Sequence, residues 1–323
     1  MIPMLFVGVL ALLALVTQLG MSVIERRYPA QGQAIEVDGA TINLVDIGPT
    51  NAPGPPLLLI HGASSNLEAM RWPLGDMLAN NHRVLLVDRP GHGWSTRARL
   101  TDSTPATQAR MLEQALGKLG VGPIILVVHS WAGALGTRMA LDFPERVAGL
   151  VMLAPVTHPW RGGVGRYNKV VTTPLLGPLL AYTITLPLGV GLLAPGARGV
   201  FLPQAMPDDF VDKSATPLLL RPREFLANAH DLVTLKPAVI AQVPRYGEIR
   251  CPVTVITGKA DRTVFTDIHS RAFAKAVPQT RLIVRPDLGH MVQNAEPELV
   301  VAEVERMLAH LAPAHAQADT TAK

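Results

Sequence analysis

The sequence holds a single cysteine, Cys251. One thiol forms no intrachain disulfide, and it leaves a cysteine-based zinc site without ligands. Charge is scarce as well: charged residues make up 17% of the chain against 48% hydrophobic. The 29 basic and 25 acidic residues leave a net charge of only +4. That excess is small and scattered, whereas a nucleic-acid partner needs a basic patch or stripe. No Gly-rich phosphate cradle, His-Glu-x-x-His metal motif or internal repeat is visible, so no cofactor or metal is implied.

Two stretches lack charge altogether. The first runs from Met1 to Ser22, with Glu25 the first charged residue. As a helix, Ile2 to Ile24 would span roughly 35 Å, enough to cross the hydrocarbon core of a bilayer. A cleaved signal peptide calls for a basic start and a small-x-small cleavage site, and neither occurs here. The segment is apolar on every face, unlike a helix buried along one stripe. Residues 1–27 therefore read as an uncleaved single-pass membrane anchor. Arg26 and Arg27 follow it, and basic residues beside a span favour the cytoplasmic side, so the remainder of the chain is expected there.

The second charge-free stretch runs from Val170 to Ala197. Its prolines and glycines, among them Pro174, Gly177, Pro187 and Pro195, argue against one straight membrane span. A broken apolar lid fits better, one that lines a pocket and also leans on the bilayer. A buried packing layer is the alternative.

Between these stretches the chain alternates. Ile35–Val37 and Thr41–Ile47 flank Asp38-Gly39, a hairpin signal. Short apolar runs follow at Leu57–Ile60, Val84–Val87, Ile124–Val128, Leu150–Leu153, Val253–Ile256 and Leu282–Val284. They read as strands of a parallel sheet buried on both faces. Helical patterns lie between them: Leu112, Leu116 and Leu119 share one face, and Val300, Val304, Met307, Leu308 and Leu311 mark an amphipathic helix. This alternation predicts a doubly wound α/β core over residues 28–156 and 247–312. The rhythm stops between 157 and 246, which reads as a helical cap inserted over the sheet. Residues 313–323 read as a flexible tail.

In Val127-Val-His-Ser-Trp-Ala-Gly133 a buried strand runs into Ser130, and small residues then start a helix. Such a turn pushes the serine outward and sets its hydroxyl over helix-terminal N–H groups. A plain helix N-cap is the competing reading.

Here the chain resembles the α/β-hydrolase superfamily, in its lipase, esterase and peroxidase-like branch. The family's Gly-x-Ser-x-Gly elbow is altered: Val128 and Ala132 stand at the two glycine positions. Leu59-Ile-His-Gly-Ala-Ser64 resembles the loop that supplies half of the oxyanion hole. The resemblance implies the backbone N–H of Ala63 as one donor, with Ser64 as fallback, and that of Trp131 as the other. His61 reads as structural. Val87-Asp-Arg-Pro-Gly-His-Gly-Trp-Ser95 resembles the family's Asp-x-Pro-Gly-x-Gly-x-Ser loop; Asp88 and His92 precede the nucleophile, against the family order of serine, acid, histidine. Asp261, after strand Val253–Ile256, and His290, in Asp-Leu-Gly-His-Met291, match the acid and base.

The resemblance implies an α/β-hydrolase fold, a mostly parallel sheet flanked by helices, with Ser130, His290 and Asp261 as catalytic triad. A serine needs a base near neutral pH, and a carboxylate must orient that base. Rivals for the acid are Asp231, Asp267 and Asp287; rivals for the base are His269, His310 and His315, with His269 read as part of a surface helix. The expected activity is hydrolysis of an ester with an apolar acyl or alcohol part through an acyl-enzyme. Acyl transfer and perhydrolysis would use the same triad. A silent binding protein on this fold is a third reading.

Overall fold

The structure is a computed structural model that describes residues 2–321; the side chains of residues 2–3 and 313–321 lie outside the described set. The flexible tail expected at 313–323 falls largely on those residues. Backbone helix is assigned as far as Thr321.

Among the described residues, nine strands form one sheet. β1 (Gln33–Val37) and β2 (Ala40–Ile47) make the expected hairpin about Asp38-Gly39. β3 (Leu57–Ile60), β4 (Val84–Val87), the two-residue β5 (Thr96–Arg97), β6 (Ile124–His129), β7 (Val147–Leu153), β8 (Val253–Gly258) and β9 (Thr280–Arg285) follow. The order is β1-β2-β4-β3-β6-β7-β8-β9, with β5 beside β2. Pairing is antiparallel around β2 and parallel from β4 through β9. β9 departs from its expected burial: it is mostly half-buried. It is the edge of the sheet, so only one neighbour covers it.

The strand pleat sends alternate side chains to opposite faces. In β3, Leu58 and Ile60 join the layer of helices α2 (Pro105–Lys118) and α3 (Ala132–Asp142). Leu57 and Leu59 face the other way, toward Met70, Leu74 and the final helix. That helix, Pro297–Thr321, contributes Val300, Val304 and Met307 to the second layer. Two apolar layers thus clamp the sheet, which explains why β3, β4 and β6 are continuous apolar runs.

The chain between β7 and β8 leaves the sheet and builds a helical layer over its C-terminal end. A helical path runs from Leu176 to Phe201 through a π-helical turn at Ala181–Thr185. It is less broken than its prolines suggest: the path stays helical through Pro178, Pro187 and Pro195, with the π-helical turn just before Pro187. Next comes the long helix Pro222–Gln242. In chain order we call Leu186–Phe201 α4, Pro222–Gln242 α5, Ser270–Ala276 α6 and Pro297–Thr321 α7.

The N-terminal helix α1 (Ile2–Arg27) packs against this cap. Gly20 lets it approach: a Cβ there would lie 2.7 Å from a methyl of Leu186. Thr17 Oγ1 donates to the Thr183 carbonyl at 3.4 Å, and Ile24 is buried among Leu186, Leu218 and Leu220. At its end, Arg27 and Tyr28 both bond Asp212 of the cap, at 2.7 and 2.6 Å. The other side of α1, with Phe6, Leu12, Leu19 and Val23, is exposed, as are Leu188, Val190 and Leu192 of α4.

Candidate active site

β6 ends at His129, and Ser130 takes φ 54°, the left-handed conformation of a sharp strand-to-helix turn. Its backbone is held from both sides. Ser130 N–H donates to Leu153 O, while Ser130 O accepts from Gly133 and Val156, each at 2.9 Å. The larger residue at 128 is absorbed one helical turn later: a Cβ on Gly136 would lie 3.0–3.1 Å from the Val128 methyls. The elbow keeps its geometry because the missing side chain has moved from the strand to α3. On the facing loop, a Cβ on Gly62 would lie 3.0 Å from Ser130 Cβ, so only glycine lets the loop approach that closely.

β8 and β9 deliver the partners. Ser130 Oγ and His290 Nε2 are 3.0 Å apart, and His290 Nδ1 is 2.7 Å from Asp261 Oδ2. The second oxygen, Asp261 Oδ1, accepts from the N–H of Thr263 and Val264 at 2.7 and 2.9 Å. All three side chains are buried. With Nδ1–H given to the carboxylate, Nε2 is free to take a proton from Ser130.

Ala63 and Trp131, the expected oxyanion donors, flank Ser130 on the loop and on the elbow. Among the described residues, no carbonyl takes the N–H of either. The fallback is excluded: Ser64 N–H donates to Asn228 Oδ1 at 2.7 Å. His61 has a structural place. Its Nε2 accepts from Arg89 N–H at 3.0 Å, so Nδ1 carries the proton and donates to Gly62 O at 2.9 Å. Burial, then the nearby charges of Arg89 and His92, hold its pKa well below the usual value.

The rivals separate cleanly. Asp231 is buried on α5 and bonds Arg89 (2.6 Å), Arg97 (2.5 Å) and His92 (2.8 Å). Asp267 and Asp287 are exposed, as is His310, and the side chain of His315 lies outside the described residues. The surface reading of His269 needs correction. The loop after β7 folds over it, and its Nδ1 accepts from Thr157 and His158 N–H, both at 3.2 Å. Asp88 accepts from Asn43, Leu67 and Trp94 and so braces its own loop.

Four site neighbours were given no role in the sequence, although His129 and Arg89 stand inside the quoted motifs. His129 donates from Nε2 to the His290 carbonyl at 3.1 Å, and burial plus the His290 charge push its pKa down to about 3, so it stays neutral. Gln204 clasps the His290 loop, accepting from Gly289 N–H at 2.8 Å and donating to Asp287 O at 2.6 Å. Asn228 holds the Ser64 loop through backbone and hydroxyl. Arg89 bonds the carbonyls of His61 and Gly62. A short chemical range between strand end and polar residue could have flagged His129 and Arg89; nothing local could flag the two cap amides.

Residues 57–303 match the alpha/beta hydrolase family. The chain belongs to that family. This hydrolase is similar to a 2-hydroxy-6-oxononadienedioate/2-hydroxy-6-oxononatrienedioate hydrolase of Paraburkholderia phymatum, 31% identical over 265 residues, 80% of this chain and 88% of the relative. It is also similar to a 2-hydroxy-6-oxo-6-phenylhexa-2,4-dienoate hydrolase of Burkholderia cepacia, 26% identical, covering 78% of this chain and 85% of the relative. An enol-lactonase structure from Burkholderia xenovorans shares the fold with a TM-score of 0.71 at 18% identity, over 86% of this chain and all of that one.

Proposed function

We propose that this hydrolase is a membrane-anchored serine hydrolase that cleaves uncharged, apolar esters, with Ser130, His290 and Asp261 as its triad. The hydrogen-bonded chain from Ser130 Oγ through His290 to Asp261 carries the reading. His290 Nε2 takes the Ser130 proton as Oγ bonds to the ester carbonyl carbon. The oxygen becomes negative and is held by the N–H groups of Ala63 and Trp131. The tetrahedral intermediate collapses, the alkoxy bond breaks, and His290 returns its proton to the departing alcohol. Water then attacks the acyl-Ser130, losing a proton to His290; the second intermediate breaks its bond to Ser130 Oγ, which takes that proton back, and the acid leaves.

The relatives' names favour a second reading. A 2-hydroxy-6-oxo-dienedioate contains no ester, so its hydrolysis must break a bond to the ketone carbon. The dienedioate carries two carboxylates and the phenylhexadienoate one, and each needs a cation to receive it. The buried arginines near the site are already engaged: Arg89 and Arg97 with Asp231, Arg221 with Glu224 at 2.9 Å. That, with the charge-free cap segment, favours an uncharged substrate.

The membrane reading rests on two adjoining apolar faces. Exposed Phe6, Leu12 and Leu19 of α1 and exposed Leu188, Val190 and Leu192 of α4 belong to helices packed on each other. Apolar faces of this extent are costly in water. The anchor would hold the lid in the leaflet, with the catalytic core on the cytoplasmic side.

The test uses the full chain in detergent micelles or nanodiscs, with p-nitrophenyl esters of rising chain length and an oxo-dienoate as competitor substrate. Ester turnover is expected to exceed dienoate turnover. Ser130→Ala and His290→Ala should each lose on the order of 10⁴-fold or more in kcat. Near-normal turnover by folded Ser130→Ala would sink the triad, and faster loss of the dienoate would give the substrate to the second reading. Alkaline carbonate extraction of membranes tests the anchor, which fails if the chain is released.

A further inference from the structure

Arg89 has no place in the triad, yet it touches both halves of the oxyanion hole. Its Nη2 donates to Gly62 O at 3.0 Å and its Nε to His61 O at 3.1 Å. Gly62 O belongs to the peptide whose N–H is that of Ala63. In a trans peptide the N–H points opposite to the C=O, so whatever holds the carbonyl also aims the N–H. His61 Nδ1–H adds a second donor to the same oxygen at 2.9 Å. Two donors on one carbonyl, one of them cationic, polarise the amide and strengthen its N–H.

The other half is Trp131. The Arg89 guanidinium lies 4.0 Å from the centre of the Trp131 ring, stacked on its face. The indole N–H donates to Asp231 O at 3.2 Å. Asp231 also holds Arg89 itself, at 2.6 Å, with side chains of both fully buried. One turn earlier on α5, Asn228 grips Ser64, the residue after Ala63.

We propose that Arg89 is a positioning residue for the oxyanion hole: held by Asp231 of the cap, it sets the Gly62–Ala63 peptide and braces Trp131. The cap helix α5 is then part of the catalytic frame as well as a cover. Arg89 touches no reacting atom. A lysine at 89 keeps the charge but loses the fork and the stacking face, so it cannot reach both carbonyls and Trp131 together.

This proposal rests on the serine-hydrolase reading, and its test separates the two. A trifluoromethyl ketone with an apolar chain is added to the full chain. Ser130 Oγ bonds to its carbonyl carbon, the proton passes to His290, and the oxygen becomes a hemiketal oxyanion in the hole. Its ionisation is followed by ¹⁹F NMR. Arg89→Lys and Asp231→Asn should lower kcat about 10- to 100-fold with KM within about threefold, since misplaced donors act on the transition state. Both should raise the pH at which the hemiketal ionises by about one unit. A kcat loss with a wild-type hemiketal titration would reduce Arg89 to a packing residue and overturn the proposal. So would unchanged kcat in both variants, or failure of both to fold by circular dichroism. If the wild type forms no hemiketal, or Ser130→Ala still turns over ester, the underlying hydrolase reading has failed instead.

Discussion

Asp261 and Asp231 are both buried, and each lies beside a histidine nitrogen, His290 at 2.7 Å and His92 at 2.8 Å. Their surroundings differ. Asp261 receives two backbone N–H groups and, among the described residues, pairs with no lysine or arginine. Asp231 is clasped by Arg89 and Arg97. Burial alone would raise the Asp231 carboxyl, but the charges of Arg97 and Arg89 outweigh it and hold the pKa far below the usual range. The histidines follow suit. Burial, then the charge of Arg89, pushes His92 down to about 4, and its Nδ1 is buried with no partner. His290 offers its second nitrogen to Ser130. A carboxylate whose charge is taken up by arginines ties cap to core; one held only by dipoles leaves its charge to the neighbouring imidazole.

Exchange of function between the two acids would break this comparison most directly. Asp261→Asn should lose about 10⁴-fold in kcat, because an amide turns the imidazole to the wrong tautomer. Its melting temperature should stay close to wild type. Substantial ester turnover by this variant would show that the acid lies elsewhere. Asp231→Ala should act mainly on stability, costing about 3–5 kcal/mol because it strands two buried guanidinium groups, with a kcat loss of about 10- to 100-fold that stays far below that of Asp261→Asn. Denaturation midpoints measure that, and a loss below 1 kcal/mol by the same scale would refute the cross-link.

Acid titration sharpens the contrast with a smaller effect. His61, His92, His129 and His269 all have folded pKa values depressed chiefly by burial, the last three to about 4, 3 and 4. As pH falls below the ordinary histidine value, the unfolded chain binds protons that the folded one refuses, so stability drops until the folded pKa is reached. Glu224 opposes this: burial raises its pKa to about 7, so its contribution is present at low pH and fades as pH rises through 7. Burial raises Asp88 and Glu68 in the same sense as Glu224 and lowers His158 and His230 in the same sense as the four rings, so the imidazoles still outnumber the carboxyls. Stability should fall between about pH 6.5 and 4 by roughly 1 kcal/mol per histidine per pH unit at most. Denaturation midpoints at pH 7.5, 6 and 5 check this, and a flat profile would mean the four rings are solvated.

Ser130, Asp261 and His290 were legible in the sequence because their motifs resemble the α/β-hydrolase pattern in type and order, each just past an apolar strand, and a parallel sheet brings its strand ends together along one edge. His269 misled because its own helix pattern looks solvent-facing, while the chain that covers it comes from Thr157 and His158. The exposure of β9 was equally hidden, since a strand's place at the edge depends on which neighbours exist rather than on its residues.

Local chemistry in the chain therefore determined the sheet and the apolar N-terminal helix: apolar period and turn residues act over a few positions and leave a readable pattern. Only the tertiary structure decided that Asp231 meets His92, that α1 packs on the cap, and that Gln204, Asn228 and Asp231 reach back to the site. The contacts of Gln204, Asn228 and Asp231 join residues 83 to 164 positions apart. Direction and distance across such a gap are set by how the layers pack, and no spacing within a segment records it.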